Sequence, residues 1–84
     1  MKIYTINKCT TCQLIKEFID MIQIKCEIID ITENPSILKH HFKELNYKCP
    51  KEFLFPILIY NNDVIFGKNI IEYIKINYNK FNIN

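Results

Sequence analysis

The stretch Lys2-Ile3-Tyr4-Thr5-Ile6-Asn7-Lys8-Cys9-Thr10-Thr11-Cys12-Gln13-Leu14-Ile15 decides how this chain reads. Its first part, Lys2 to Ile6, is apolar and partly β-branched, which is the composition of a buried strand. Its second part opens an amphipathic helix, expected over Thr11 to Ile24. Leu14, Ile15, Phe18, Ile19 and Ile22 fall on one face of that helix, and Lys16, Glu17, Asp20 and Gln23 on the other. Cys9 and Cys12 therefore sit where a strand hands over to a helix. At that spacing two thiols can make and break a disulfide reversibly. The positive end of a helix dipole favours the thiolate form of the first thiol, which makes Cys9 the candidate nucleophile and Cys12 the resolving thiol.

Working outward, Cys26 to Ile31 reads as a second strand. Asn34-Pro35 reads as a helix start, with Asn34 as the cap and Pro35 in the first helical position. That helix is expected to run to about Leu45, with Leu38, Phe42 and Leu45 inward and Ile37 and His41 flanking. Asn46 to Phe55 is irregular. Pro56 opens a third strand, Ile57 to Tyr60, and Asn61-Asn62-Asp63 is a hairpin signal before Val64-Ile65-Phe66. Gly67 ends the fourth strand, and Asn69 reads as the cap of a last helix carrying Ile70, Ile71 and Ile74. From about Asn79 the chain is expected to fray. The order βαβ-α-ββα predicts an α/β fold. A parallel crossover and an antiparallel hairpin together give a four-stranded mixed sheet with helices on both faces.

Composition narrows the function classes. With 84 residues and 49% apolar content, one domain spanning 1–84 and one thin core are expected. The net charge is +2, from eleven lysines against nine acids, and there is no arginine. Such a weak, dispersed charge without bidentate guanidinium groups points away from nucleic acid. No apolar run approaches the ~18 residues of a membrane span, and residues 1–8 lack a signal-peptide pattern. The expected setting is the cytoplasm, where thiols stay reduced. The chain is rich in Ile, Asn and Lys, so the Asn-rich tail Asn77 to Asn84 reflects compositional bias and not a site.

The remaining cysteines are Cys26 and Cys49. The bland reading of Cys9 and Cys12 is a structural pair or half of a zinc site. Cys26 and Cys49 supply no second pair at metal-ligand spacing, so no metal ligands are assigned. Cys26 reads as an inert core thiol in the second strand. Cys49 reads as an exposed bystander, in a segment that leads towards Pro56. His40 and His41 read as surface and flank residues of the second helix.

Taken in order, four motifs resemble the glutaredoxins, including the small glutaredoxin-like electron donors of ribonucleotide reductase. They are Cys9-Thr10-Thr11-Cys12 after the first strand, Asp30-Ile31-Thr32-Glu33-Asn34-Pro35 before the second helix, Phe55-Pro56 before the third strand, and Gly67 after the fourth. The resemblance covers nearly the whole chain and implies a thioredoxin-like fold and thiol–disulfide oxidoreductase activity through Cys9 and Cys12. It implies a cis Pro56 facing the disulfide, with the backbone of Phe55 offered to an extended substrate strand. Lys8, Thr11, Phe55, Pro56, Gly67, Lys68 and Asn69 become the candidate substrate-binding residues. It further implies a monomer with no bound cofactor, disulfide-containing proteins as partners, and glutathione or a flavin-dependent reductase as the electron source. The chain departs from the family pattern at several places. Thr10-Thr11 stand where members carry Pro-Tyr, Ile6 where many carry Lys, and Leu54-Phe55 where Thr-Val is usual. Lys68 and Ile70 replace the second Gly and the Asp that hold the γ-glutamyl end of glutathione. Two alternatives follow. One is a glutathione-independent donor to ribonucleotide reductase; the other is an iron–sulfur or metal carrier using Cys9 at a dimer interface, against which Cys12 argues.

Overall fold

Side chains along a strand alternate between the two faces of its sheet, and here each face carries its own helical layer. The computed structural model describes residues 1–81. Strand β1 (Lys2–Thr5) lies inside a sheet of order β2-β1-β3-β4. It runs parallel to β2 (Glu27–Asp30) and antiparallel to β3 (Ile57–Tyr60), which pairs antiparallel with β4 (Asp63–Phe66). Ile3 and its register partner Leu58 face helix α1 (Thr10–Ile22) and helix α3 (Asn69–Ile76), meeting Ile15, Ile19, Ile70 and Ile74. Their neighbours Tyr4, Ile57 and Ile59 face the other way. They pack on Leu38 and Phe42 of helix α2 (Ser36–Glu44). The fold is α/β and thioredoxin-like, βαβ-α-ββα, with helices on both faces of a four-stranded mixed sheet.

The ends of elements differ from the sequence reading for local reasons. α1 stops at Ile22 because Gln23 turns left-handed, with φ of 56°, and its N–H closes on the Ile19 carbonyl at 3.0 Å. Ile24 falls outside the helix and is still buried. β2 starts at Glu27, leaving Cys26 just ahead of it. Asn34 does not cap α2. Pro35 already has helical dihedrals and occupies the cap position, while the Asn34 carboxamide oxygen accepts the Ser36 hydroxyl at 2.6 Å. Asn69 does not cap α3 either. Lys68 takes the cap position with helical dihedrals, so the chain passes from β4 into α3 through Gly67 and Lys68. The expected frayed tail contains a short helix, α4 (Tyr78–Phe81), ordered by Phe81 packing edge-on against Tyr60 at 4.9 Å. Asn82, Ile83 and Asn84, part of that reading, lie outside the described residues.

One residue read as a flank has a tertiary role. The hydroxyl of Tyr4, a side chain buried beneath α2, is hydrogen-bonded to Nδ1 of His41 at 2.5 Å. Burial first, then the positive charge of Lys2, hold the His41 pKa below its ordinary 6.5. Between that lowered value and 6.5 the unfolded chain binds more protons than the folded one, so stability falls as pH drops through this window. Thermal unfolding at pH 7.0 and 5.5 is expected to show a lower midpoint at pH 5.5. The difference should shrink in His41→Asn, whose carboxamide offers both a donor and an acceptor to the Tyr4 hydroxyl. An unchanged difference would show that His41 is not the group responsible.

Candidate active site

β1 and β2 are parallel, so their carboxyl ends reach the same edge of the sheet. Two hydrogen bonds join the loops that leave them. The Asn7 N–H donates to the Thr32 hydroxyl oxygen at 2.7 Å, and the Thr32 N–H donates to the Asp30 carboxylate at 2.8 Å. The Thr32 bonds, with a smaller effect from Lys16, hold the Asp30 carboxyl below its ordinary pKa of 3.8. Lys8 then reverses the chain with φ of 56°, a left-handed conformation that costs a non-glycine residue roughly 1–2 kcal/mol. This turn delivers Cys9 to the start of α1.

Cys9 is the N-cap of α1. Its backbone is extended, with φ of −115° and ψ of 104°, and its sulfur accepts the Cys12 N–H at 3.0 Å. The sulfur thus takes the place that a Ser or Asp oxygen takes at most helix starts. No acidic residue occupies the first turn of α1. Negative charge at the helix's positive end therefore has one natural location, the Cys9 sulfur. Cys9 and Cys12 are joined as a disulfide with their Cα atoms 5.2 Å apart, leaving Cys26 and Cys49 as free thiols.

The two sulfur-bearing residues are not equivalent. Cys12 is only 2% exposed, whereas Cys9 is half-buried and open to the surface. The Cys9 Sγ lies 3.9 Å from the Phe55 carbonyl oxygen, and the Phe55–Pro56 peptide is cis. The Pro56 carbonyl in turn accepts the Gly67 N–H at 2.8 Å. Gly67 has φ of +58°. A Cβ there would stand 3.9 Å from Leu54 Cβ, an ordinary contact, so it is the backbone conformation and not space that calls for glycine. Lys8, Cys9, Cys12, Phe55, Pro56 and Gly67 are thus drawn into one end of the molecule. Lys68 and Asn69 follow Gly67, exposed at the start of α3, and Thr11 is half-buried on α1. Ile70 is fully buried in the α1–α3 layer.

The other thiols lie apart from this chemistry. Burial pushes the Cys26 thiol up to about 11, so it stays protonated and unreactive at neutral pH. Cys49 is exposed, beside a separate cleft formed with Lys39, Lys43 and Lys48, and shares no wall with the disulfide. Among the described residues no group of three or more His, Cys, Asp or Glu is placed to hold a metal ion. Among the same residues no helix is long and apolar enough to cross a membrane.

A cleft of about 450 Å³ opens directly against the disulfide, between the end of β2 and the first turns of α1. Asn7, Lys8, Gln13, Lys16 and Asp30 line it together with both cysteines. The sequence reading names Lys16 only on the polar face of α1 and Asp30 only in the segment before α2, and assigns neither to the site. The signal was there: Lys16 is four residues after Cys12, hence on the same helical face, and Asp30 ends the strand parallel to β1. Ligands of open α/β sheets gather outside the carboxyl ends of their parallel strands. Comparison of the chain with protein-family models and with curated proteins finds no match.

Proposed function

We propose that the chain is a dithiol electron carrier of the glutaredoxin type, which reduces disulfides through Cys9 and Cys12. The observation that carries this reading is the asymmetry of the pair: an accessible, helix-capping Cys9 sulfur over a buried Cys12. The reaction begins from the dithiol. Cys9 thiolate attacks one sulfur of the substrate disulfide, and the other substrate sulfur leaves as a thiolate and takes up a proton. Cys12 then loses its proton and attacks the Cys9 sulfur, which releases the second substrate thiol and closes the Cys9–Cys12 disulfide. Two electrons pass from the dithiol to the substrate. The backbone at Phe55, facing the Cys9 sulfur, suits an extended segment of a protein substrate. The reading places the reaction in a reducing compartment.

A second observation bears on the electron source. Lys68 and Ile70 replace the Gly and Asp of the glutathione-binding relatives, and Ile70 is committed to the core. The lost carboxylate removes a charge-assisted contact of roughly 1.5–3 kcal/mol to the γ-glutamyl amine. This favours the glutathione-independent reading, a donor to an enzyme such as ribonucleotide reductase. Turnover should be slow with glutathione and glutathione reductase and fast with thioredoxin reductase. Catalytic efficiency on a glutathione mixed disulfide comparable to that of a standard dithiol glutaredoxin would defeat the second reading. Failure with every electron source and every disulfide would defeat the first.

A further inference from the structure

The two flanks of the disulfide differ in chemistry. On the Pro56 side stand backbone groups and apolar side chains, with Leu54 exposed to 66%. On the β2 side is the polar cleft with two ammonium groups, Lys8 and Lys16, and one carboxylate, Asp30. Among the described residues the one ion pair is His40–Glu44, on α2, so none of the three cleft charges is tied up in a salt bridge. All three line a cleft whose wall includes the disulfide. Lys8 adjoins Cys9, and Lys16 is one helical turn beyond Cys12, where Cβ atoms stand roughly 5–6 Å apart.

Resting on the disulfide-reductase reading, we propose that this cleft is a subsite for small amino-acid disulfides of the cystine type. An arm of such a molecule carries a carboxylate and an ammonium group two bonds or so from the carbon that bears sulfur. Its charges therefore lie close to the reacting atoms, as the cleft's charges do. The carboxylate pairs with Lys16, assisted by Lys8, and the ammonium pairs with Asp30. Glutathione carries its charges farther from sulfur, at the two ends of a tripeptide, and matches the cleft less well. The chemistry is the exchange described above: the protein dithiol is oxidised to the Cys9–Cys12 disulfide, and one cystine is reduced to two cysteines. In the test, a synthetic dithiol such as dithiothreitol regenerates the reduced protein.

The test is the rate at which the fully reduced protein is oxidised by four small disulfides. These are cystine, the dicationic cystamine, the dianionic 3,3′-dithiodipropionate and the neutral 2-hydroxyethyl disulfide. Each rate is divided by that of free dithiothreitol with the same disulfide, which removes intrinsic reactivity. Cystine is expected to exceed the neutral disulfide by about tenfold, the low end for one charge-assisted hydrogen bond. Cystamine is expected to be the slowest. In Lys16→Gln the ratio of cystine to neutral disulfide should fall towards one. In Asp30→Asn that ratio should fall while the ratio for dithiodipropionate rises. Because each is a ratio within one variant, a change in Cys9 reactivity cancels. Normalised rates equal within threefold across the four disulfides would overturn the subsite and leave the reductase reading intact. No oxidation of Cys9 and Cys12 by any of them would overturn both.

Discussion

Under the proposed dithiol mechanism, replacing Cys9 with serine is expected to abolish disulfide reduction, a loss of roughly 10³-fold or more, the scale of removing a covalent nucleophile. The expectation rests on position. Cys9 carries the accessible sulfur at the positive end of a 13-residue helix, and Cys12 is 2% exposed one turn in. Cys12→Ser should behave differently. It keeps the attacking thiol but lacks the one that closes the cycle, so a mixed disulfide between Cys9 and the substrate should accumulate. Intact-mass measurement of the reaction mixture reads that adduct directly. Alkylation against pH separates the two thiols further, since Cys9 in Cys12→Ser should label faster at neutral pH than Cys12 in Cys9→Ser. The reverse order would exchange their roles.

The second large effect concerns the fold that holds these thiols in place. Leu58 is fully buried on β3, between β1 and β4, and packs into the layer shared with α1 and α3. Leu58→Ala should cost about 2–5 kcal/mol, through lost apolar transfer and the cavity left behind. For a domain of this size each kcal/mol shifts the melting temperature by roughly 4–8 °C, so a fall of about 10 °C or more is expected. Leu54→Ala is the matched control, because that leucine is 66% exposed. Its change should stay within about 0.5 kcal/mol, as for most surface substitutions. Thermal unfolding of the two variants, with the disulfide held in one redox state, decides the matter. Equal losses would contradict the assignment of Leu58 to the core and Leu54 to the rim of the site.

Periodicity made the elements legible. The apolar spacing of Leu14 to Ile22 and the turn residues Asn61-Asn62 marked α1 and the β3–β4 hairpin, because burial on one face and a two-residue turn both leave local signatures. Asn61 takes φ of 54°, the conformation such a turn requires at its first position. The helix starts were misread at Asn34 and Asn69, where a cap was inferred from residue type alone. Pro35 and Lys68, already helical in their dihedrals, occupy the cap positions instead. Helix α4, over Tyr78–Phe81, leaves no local signal, because the ring against which Phe81 packs belongs to Tyr60, 21 residues earlier in the chain.

By itself the sequence determined the order of the four strands and the first three helices, the pair Cys9 and Cys12 and their place at a helix start. These depend on spacing within a few residues, and spacing is written in the chain. Tertiary structure decided which thiol is accessible, that Tyr4 finds its partner in His41, and that Lys16 and Asp30 share a cleft with the disulfide. Each of these depends on segments distant in sequence meeting across the sheet. Exposure and electrostatic neighbourhood are properties of that meeting, set by the register of β1 with β2 and the seating of α1 and α2 on opposite faces.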